Sequence, residues 1–128
     1  MSESVLAQPG IDEVRRAVER YHDALTRCDV DAAVAAFTDD GLIDCTPAPD
    51  GERYEGAAGI ATLFRKLFDS GGQRAFDTEE VFLAGDRAVV RWRHRWTDDS
   101  GRSGHVRGVD ILRVRDGKIA EKLAYVKG

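Results

Sequence analysis

One carboxylate, Asp110, lies within an apolar stretch that the sequence predicts to be a β-strand. Val106, Gly108, Leu112 and Val114 share its parity, and side chains along a strand alternate between two faces. An acid on such an apolar face loses hydration, which disfavours its ionised form. A group of this kind either has a buried partner or belongs to a functional site, so Asp110 is the first candidate for acid–base chemistry.

Two further polar side chains could contribute chemistry beside this acid. Tyr21 lies in the apolar stripe of a predicted helix, where its hydroxyl can either bind backbone or reach a pocket. His94 shares a predicted strand face with Trp92 and Trp96, and an imidazole there can act as an acid or a base near neutral pH. A structural alternative remains open, because Asp110 could instead accept from Tyr21 or His94 in a buried network.

The remaining histidines and Cys45 are weaker candidates for chemistry. His22 is expected at an exposed helical position, and His105 near the solvated start of a strand. Cys45 fits a small buried hydrophobic residue, because the sequence indicates no cationic neighbour that would activate its thiol. The histidine spacing matches no metal site and no glycine-rich phosphate loop occurs, so we expect neither a metal nor an external cofactor.

Apolar periodicity predicts three helices in the first half of the chain. Apolar residues recur at three- and four-residue steps over 11–25, 30–37 and 56–68. Asp29 can cap the second of these helices, and Gly71-Gly72 follows the third. A short strand is predicted over 42–46, and the proline-rich segment after it is typical of an exposed loop or hairpin turn.

The second half of the chain predicts four long strands joined by short turns. They cover residues 74–83, 87–97, 103–115 and 118–127, and their spacing is typical of an antiparallel meander. Helices that precede strands in this order indicate an α+β fold, in which the helices pack on one face of a curved sheet.

Size and composition fit one soluble globular domain. The chain has 128 residues, 42% hydrophobic and 33% charged, and its formal net charge of −4 disfavours a general nucleic-acid binder. No apolar run is long enough to cross a membrane, and residues 1–10 do not resemble a secretory signal. We expect a flexible tail over 1–10, one domain over 11–128, and reduced cysteines in a cytoplasmic protein.

Two segments carry a resemblance to a known family. The first runs from Arg20-Tyr21-His22-Asp23-Ala24-Leu25 to Ala36-Phe37-Thr38-Asp39-Asp40, and the second is Val109-Asp110-Ile111-Leu112-Arg113 with Asp116-Gly117-Lys118-Ile119. With the order of elements, they make residues 11–127 resemble the nuclear transport factor 2 superfamily, above all its ketosteroid isomerases and SnoaL-like polyketide cyclases. The resemblance implies a cone-shaped α+β barrel, with three N-terminal helices packed on a curved, mainly antiparallel sheet. This fold hosts enzymes, binding domains and dimerisation modules.

The resemblance also assigns provisional roles to single residues. Ketosteroid isomerases hold an aspartate base, a tyrosine and a protonated aspartate in an apolar cavity. On that likeness Tyr21 corresponds to the tyrosine and Asp110 to the protonated aspartate, but the base position falls on Cys45, which argues against the steroid reaction. SnoaL-like cyclases rely on one aspartate in an apolar pocket, which fits Asp110 better. Epoxide hydrolases of the superfamily use an Asp-Arg-Asp set, whose last acid would fall near Ala124.

These observations give a first hypothesis and two alternatives. The first is a small-molecule enzyme of the cyclase or isomerase type that moves protons on an apolar carbonyl compound. Asp110 would be the acid, the base or an oxyanion donor, Tyr21 a second donor and His94 an auxiliary titrating group. The expected substrate-binding wall consists of Cys45, Phe64, Trp92, Trp96 and Gly108. The alternatives are a non-catalytic binding protein for a small apolar ligand and a structural dimerisation domain, and the resemblance implies a homodimer through the sheet.

Overall fold

Three helices and six strands make up the part of the chain that the computed structural model describes, residues 10–47 and 49–127. The tail expected over 1–10 lies, apart from Gly10, outside these described residues. The helices are α1 (Ile11–Thr26), α2 (Val30–Ala35) and α3 (Gly56–Phe68). The strands are β1 (Phe37–Cys45), β2 (Glu52–Glu55), β3 (Gln73–Ala84), β4 (Arg87–Thr97), β5 (Ser103–Arg115) and β6 (Lys118–Val126).

The strands form one mixed, mostly antiparallel sheet in the order β2-β1-β6-β5-β4-β3. Neighbouring strands are antiparallel except β1 and β6, which run parallel. The meander over β3 to β6 is confirmed, and β4 and β5 have the predicted bounds. The α+β class is confirmed as well, but the sheet does not close into a barrel, because β2 and β3 remain at its two edges.

The predicted helices form because each presents one apolar side to the sheet. Val14, Val18 and Tyr21 in α1 are buried, as the three- and four-residue spacing requires. Asp29 caps α2, since its Oδ1 accepts a hydrogen bond from the Ala32 amide at 3.0 Å.

One local prediction is wrong and one short strand was not predicted, and strand pairing explains both. The second helix ends at Ala35, and Phe37 instead begins β1, where it lies opposite Ile119 of the parallel strand β6. Residues 52–55 form β2, which the sequence does not signal because it is short and mostly exposed. It is held as an edge strand by antiparallel pairing with β1, with Tyr54 opposite Ile43. In each segment, pairing with a distant strand overrides the local pattern.

A buried aromatic cluster joins the helices to the sheet. Tyr21 of α1 meets Phe37 of β1 edge to face, with ring centroids 5.4 Å apart, and Phe64 of α3 packs against both rings. Edge-to-face packing suits the quadrupoles of aromatic rings and adds to the hydrophobic gain of burial. This cluster fixes Tyr21 at the boundary between the core and the cavity described below.

Gly108 leaves room for a tryptophan ring to cross β5. It lies opposite Trp92 of β4, and a Cβ added at Gly108 would come within 2.6 Å of Trp92 Cζ2 and also meet the Tyr125 carbonyl. The Trp92 ring therefore lies directly over the Gly108 backbone, and a larger residue would displace it. The position of the Trp92 indole nitrogen thus depends on a glycine of the neighbouring strand.

We predict that Gly108→Ala lowers the free energy of unfolding by about 2 kcal/mol, because it overpacks the space under Trp92. Urea unfolding followed by tryptophan fluorescence measures the change. Gly59→Ala is the matched control: its added Cβ would meet only ordinary contacts from 3.6 Å, and in helix α3 it should stabilise by about 0.5–1 kcal/mol. Equal stability of Gly108→Ala and the wild type would contradict the packing described here.

Candidate active site

An apolar cavity of about 180 Å³ opens between the helices and the sheet. Leu25 of α1, Phe64 and Leu67 of α3, Phe76 of β3 and Trp92 of β4 line much of its wall. For comparison, an apolar cavity of about 150 Å³ can hold benzene. The cavity therefore has the size and the lining of a site for one ring of an organic molecule.

Asp110 lies at the polar end of this cavity and has two partners. It is 6% exposed, its Oδ1 accepts a hydrogen bond from Trp92 Nε1 at 2.9 Å, and its Oδ2 is 3.8 Å from Lys122 Nζ. Asp110 is therefore a buried acid with a hydrogen-bond donor on one oxygen and a cation near the other, so it has the buried partners that the sequence analysis allowed for. Tyr21 and His94 are not its hydrogen-bond donors, in contrast to the network considered above.

Lys122 is a cavity residue that the sequence analysis did not single out. It projects from β6 on the same side of the sheet as Asp110, because its cross-strand partner Leu112 is two residues along β5 from that acid. The sequence pattern of β6 obscures the placement of Lys122. Ile119 and Leu123 are an odd number of residues away from it, so the strand face that they would share looks like the buried one. The signal available in the sequence was that Lys122 lies two residues from each of Ala120 and Ala124, because alternate residues of a strand share one face.

The Lys122 ammonium is charged and lies beside both Asp110 and Tyr21. Desolvation by burial acts to lower the pKa of Lys122, but the attraction of Asp110, followed by that of Tyr21, raises it above its ordinary value. Its side chain is 15% exposed, and its Nζ is 3.8 Å from Asp110 Oδ2, which is longer than a direct hydrogen bond. Its Nζ lies 5.5 Å from the centroid of the Tyr21 ring.

Tyr21 presents a buried hydroxyl without a hydrogen-bond partner among the described residues. The residue is 1% exposed and lines the cavity. Burial raises the pKa of Tyr21, an effect that the nearby Lys122 charge only partly opposes, so the side chain is a neutral phenol at neutral pH. A buried donor without a partner is costly, which makes the hydroxyl a natural contact for a ligand oxygen.

Both half-buried histidines of the cavity wall are neutral at neutral pH. His94 Nε2 is 3.2 Å from Arg74 Nη1 and must accept from it, because a guanidinium only donates. Burial, followed by the charge of Arg74, lowers the pKa of His94. The expected exposure of His22 is wrong: it lines the cavity, its Nδ1 is 3.3 Å from Thr78 Oγ1, and burial lowers its pKa.

Three of the five predicted wall residues lie in the cavity, namely Cys45, Phe64 and Trp92. Burial raises the pKa of the Cys45 thiol, which therefore stays protonated and is a poor nucleophile. Trp96 and Gly108 are not in the wall, which corrects that part of the prediction. Gly108 is covered by the Trp92 ring, and Trp96 lies further along β4, where its ring covers Gly104.

With this geometry established, comparison with known proteins identifies the family. The model of the SnoaL-like domain matches residues 18–122, so the chain belongs to the SnoaL-like family. A comparison with curated proteins found no match. No helix within residues 10–47 and 49–127 has the length and apolar character needed to cross a membrane.

Solved structures support the same assignment. An NTF2-like protein of unknown function from Mesorhizobium loti is 36% identical, with 91% of this chain and 93% of that chain covered and a TM-score of 0.75. An LEH-like epoxide hydrolase from M. tuberculosis is 22% identical, with 93% and 86% covered and a TM-score of 0.76. A putative polyketide cyclase from Sinorhizobium meliloti is 22% identical, with 85% and 93% covered and a TM-score of 0.69. The last two likenesses show the shared fold.

We predict that Lys122→Met lowers the free energy of unfolding at neutral pH by about 3 kcal/mol, because it leaves the buried Asp110 carboxylate without its cation. The double variant Asp110→Asn with Lys122→Met should recover most of that loss, since both charges are then removed. Urea titrations of the single and double variants measure the coupling. Additive losses in the double variant would contradict a direct interaction of the two side chains.

The lowered histidine pKa values predict a stability that falls with acidification. Below the ordinary value of 6.5 the unfolded chain binds protons that His94 in the folded protein does not, so the free energy of unfolding decreases as the pH falls. His94→Gln should flatten this slope between about pH 6.5 and 5.5, and the exposed His105→Gln should leave it unchanged. Urea unfolding across that range is the measurement, and parallel curves for His94→Gln and wild type would refute the prediction.

Proposed function

We propose that the protein is a small-molecule enzyme that moves a proton on carbon next to a carbonyl group, as an isomerase or a cyclase does. The observation that carries this proposal is the Tyr21 hydroxyl, which has no close hydrogen-bond partner among the described residues and is buried in an apolar cavity beside the Lys122–Asp110 pair. A base, a neutral donor and a cation then meet at one end of a space that accepts an apolar molecule. Perturbed titratable groups clustered in a cavity are typical of functional sites.

Each polar side chain has a distinct role in this reaction. Asp110 is the base, because it is the acid that lines the cavity with its oxygens held in place by the Trp92 indole and beside the Lys122 ammonium. Tyr21 donates to the carbonyl oxygen, where negative charge develops as the proton leaves carbon. Lys122 stabilises that charge electrostatically. His94, a neutral imidazole in the cavity wall, is available as a second proton carrier.

The substrate class follows from the size of the cavity and from Cys45. A space of about 180 Å³ suits a compound whose reacting part is a single ring, which is smaller than a steroid skeleton. The Cys45 thiol stays protonated and cannot shuttle a proton as a carboxylate does. Both points favour a small cyclic or aryl ketone over a ketosteroid, in keeping with a structural neighbour named as a putative polyketide cyclase.

Hydrogen exchange tests this proposal without knowledge of the natural product. One-ring ketones such as cyclohexenone and acetophenone are incubated with the protein in deuterated water, and loss of the α-proton signal is followed by NMR. We predict that the wild type accelerates exchange of at least one such ketone. Asp110→Asn should lower the rate by roughly 10²-fold or more, because general-base catalysis is lost. Tyr21→Phe should lower it by roughly 10²-fold, because an oxyanion donor is lost.

Conservative variants at exposed positions are the matched controls. Tyr125→Phe removes a hydroxyl from a residue that is 55% exposed, and Asp116→Asn changes an exposed acid at the β5–β6 turn. Both should exchange as the wild type does. Exchange that survives unchanged in Asp110→Asn would remove Asp110 as the base.

A second candidate, a non-catalytic binding protein with the same cavity, is favoured by one observation. The position that the family resemblance gives to a catalytic base holds Cys45, whose thiol stays protonated. In that case the one-ring ketones would bind, as seen by quenching of tryptophan fluorescence, and their α-protons would exchange no faster than in buffer. Binding together with accelerated exchange would exclude this alternative.

A further inference from the structure

Lys122, the cationic partner of Asp110, is also placed to contact a ligand in the cavity. Lys122 Nζ stands 3.8 Å from Asp110, an ion-pair distance beyond a direct hydrogen bond, and the ammonium also interacts with the Tyr21 phenol. Among the described residues the Tyr21 hydroxyl has no close hydrogen-bond partner. An ammonium has three N–H donors, and Lys122 and Tyr21 both line the cavity, so a ligand oxygen there can reach both.

We propose that Lys122 is a shared counter-ion, which faces one negative charge at a time: the Asp110 carboxylate when no ligand is bound, and the oxyanion of a bound organic acid or enolate when one is. That the natural oxyanion is an enolate rests on the proposed function. The charge balance itself applies to any small organic anion that enters the cavity.

The proton balance of the proposed reaction follows from this arrangement. When a ketone loses an α-proton, the C–H bond breaks, the proton moves to an Asp110 oxygen and the electron pair moves to the carbonyl oxygen. The negative charge thus passes from Asp110 to the ligand, and the Lys122 ammonium remains between them. The net charge of the cavity is unchanged, so the transfer does not require a second buried charge, which would be strongly unfavourable at low dielectric.

A preformed anion must bind differently from a ketone. If it enters while Asp110 is ionised, two negative charges face one ammonium, and their repulsion is relieved when Asp110 takes up a proton from solvent. The other titratable and charged groups around the cavity are Tyr21 and His22 on α1, Cys45 on β1, Asp77 on β3, and Arg93 and His94 on β4. Tyr21 and Cys45 already hold their protons, and Asp77 is ion-paired with Arg95, which leaves Asp110 and the two histidines as possible proton acceptors.

Calorimetry with 4-nitrophenol, a one-ring acid, separates these acceptors. At about pH 8 the ligand is largely its anion and unperturbed histidines are neutral. Titrations in two buffers of different ionisation enthalpy give both the affinity and the number of protons taken up. We expect the wild type to bind the anion with uptake approaching one proton. Asp110→Asn should bind it roughly tenfold more tightly or better, with no proton uptake, because the competing charge is gone.

Lys122→Met should lose anion affinity by roughly tenfold or more while still binding nitrobenzene, the uncharged analogue, which reports an intact cavity. Lys118→Met, at an exposed position of the same strand, and Asp116→Asn are the matched controls and should match the wild type.

Several results would overturn the counter-ion role. Unchanged or weaker anion binding by Asp110→Asn would do so, as would proton uptake that persists in that variant, since His22, His94 or the 4-nitrophenolate itself would then be the acceptor. Anion affinity that survives in Lys122→Met, or no binding of the anion to the wild type and Asp110→Asn, would also reject it. Failure of the proposed function is recognised separately, because ketone exchange would be absent while the calorimetric pattern held.

Discussion

The ion pair of Lys122 and Asp110 governs the properties of the cavity around it. Both groups are largely withdrawn from water, so each charge can persist only because the other is present. The Trp92 indole supplies a donor to the carboxylate and thereby keeps one oxygen satisfied. Burial is the main cause of the shifted pKa values of Tyr21, His22 and Cys45, and the charges of this pair modify each of them in opposite directions.

Secondary structure positions this pair through three adjacent strands. Trp92 on β4, Asp110 on β5 and Lys122 on β6 come from neighbouring strands of one antiparallel ladder, and they project to the side that the helices cover. Gly108 lets the Trp92 ring cross β5 to reach Asp110. The helix α1 then places the Tyr21 hydroxyl over the same spot. A site built on rigid strands in this way can hold its groups in a fixed geometry, which catalysis by preorganised dipoles requires.

The site also explains how one fold can serve unrelated chemistries. The chain shares its architecture with proteins named as an epoxide hydrolase and as a putative polyketide cyclase. A shared fold does not fix the chemistry, which depends on the polar side chains that each protein places in its own site. In this protein the cavity holds the acid Asp110 with an ammonium beside it, and a protonated thiol at Cys45.

The sequence by itself determined the family, the three helices, the four-stranded meander and the candidates Asp110, Tyr21 and His94. Periodicity and short turns are local properties, and a polar residue on an apolar stripe is visible without coordinates. Only the tertiary structure decided that Phe37 begins a strand, that residues 52–55 pair with β1, and which side chains surround Asp110. Lys122 and His22 enter the site through strand register and helix packing, which join residues far apart in the chain. The charge of a buried acid depends on such neighbours, so its ionisation could not be derived from spacing alone.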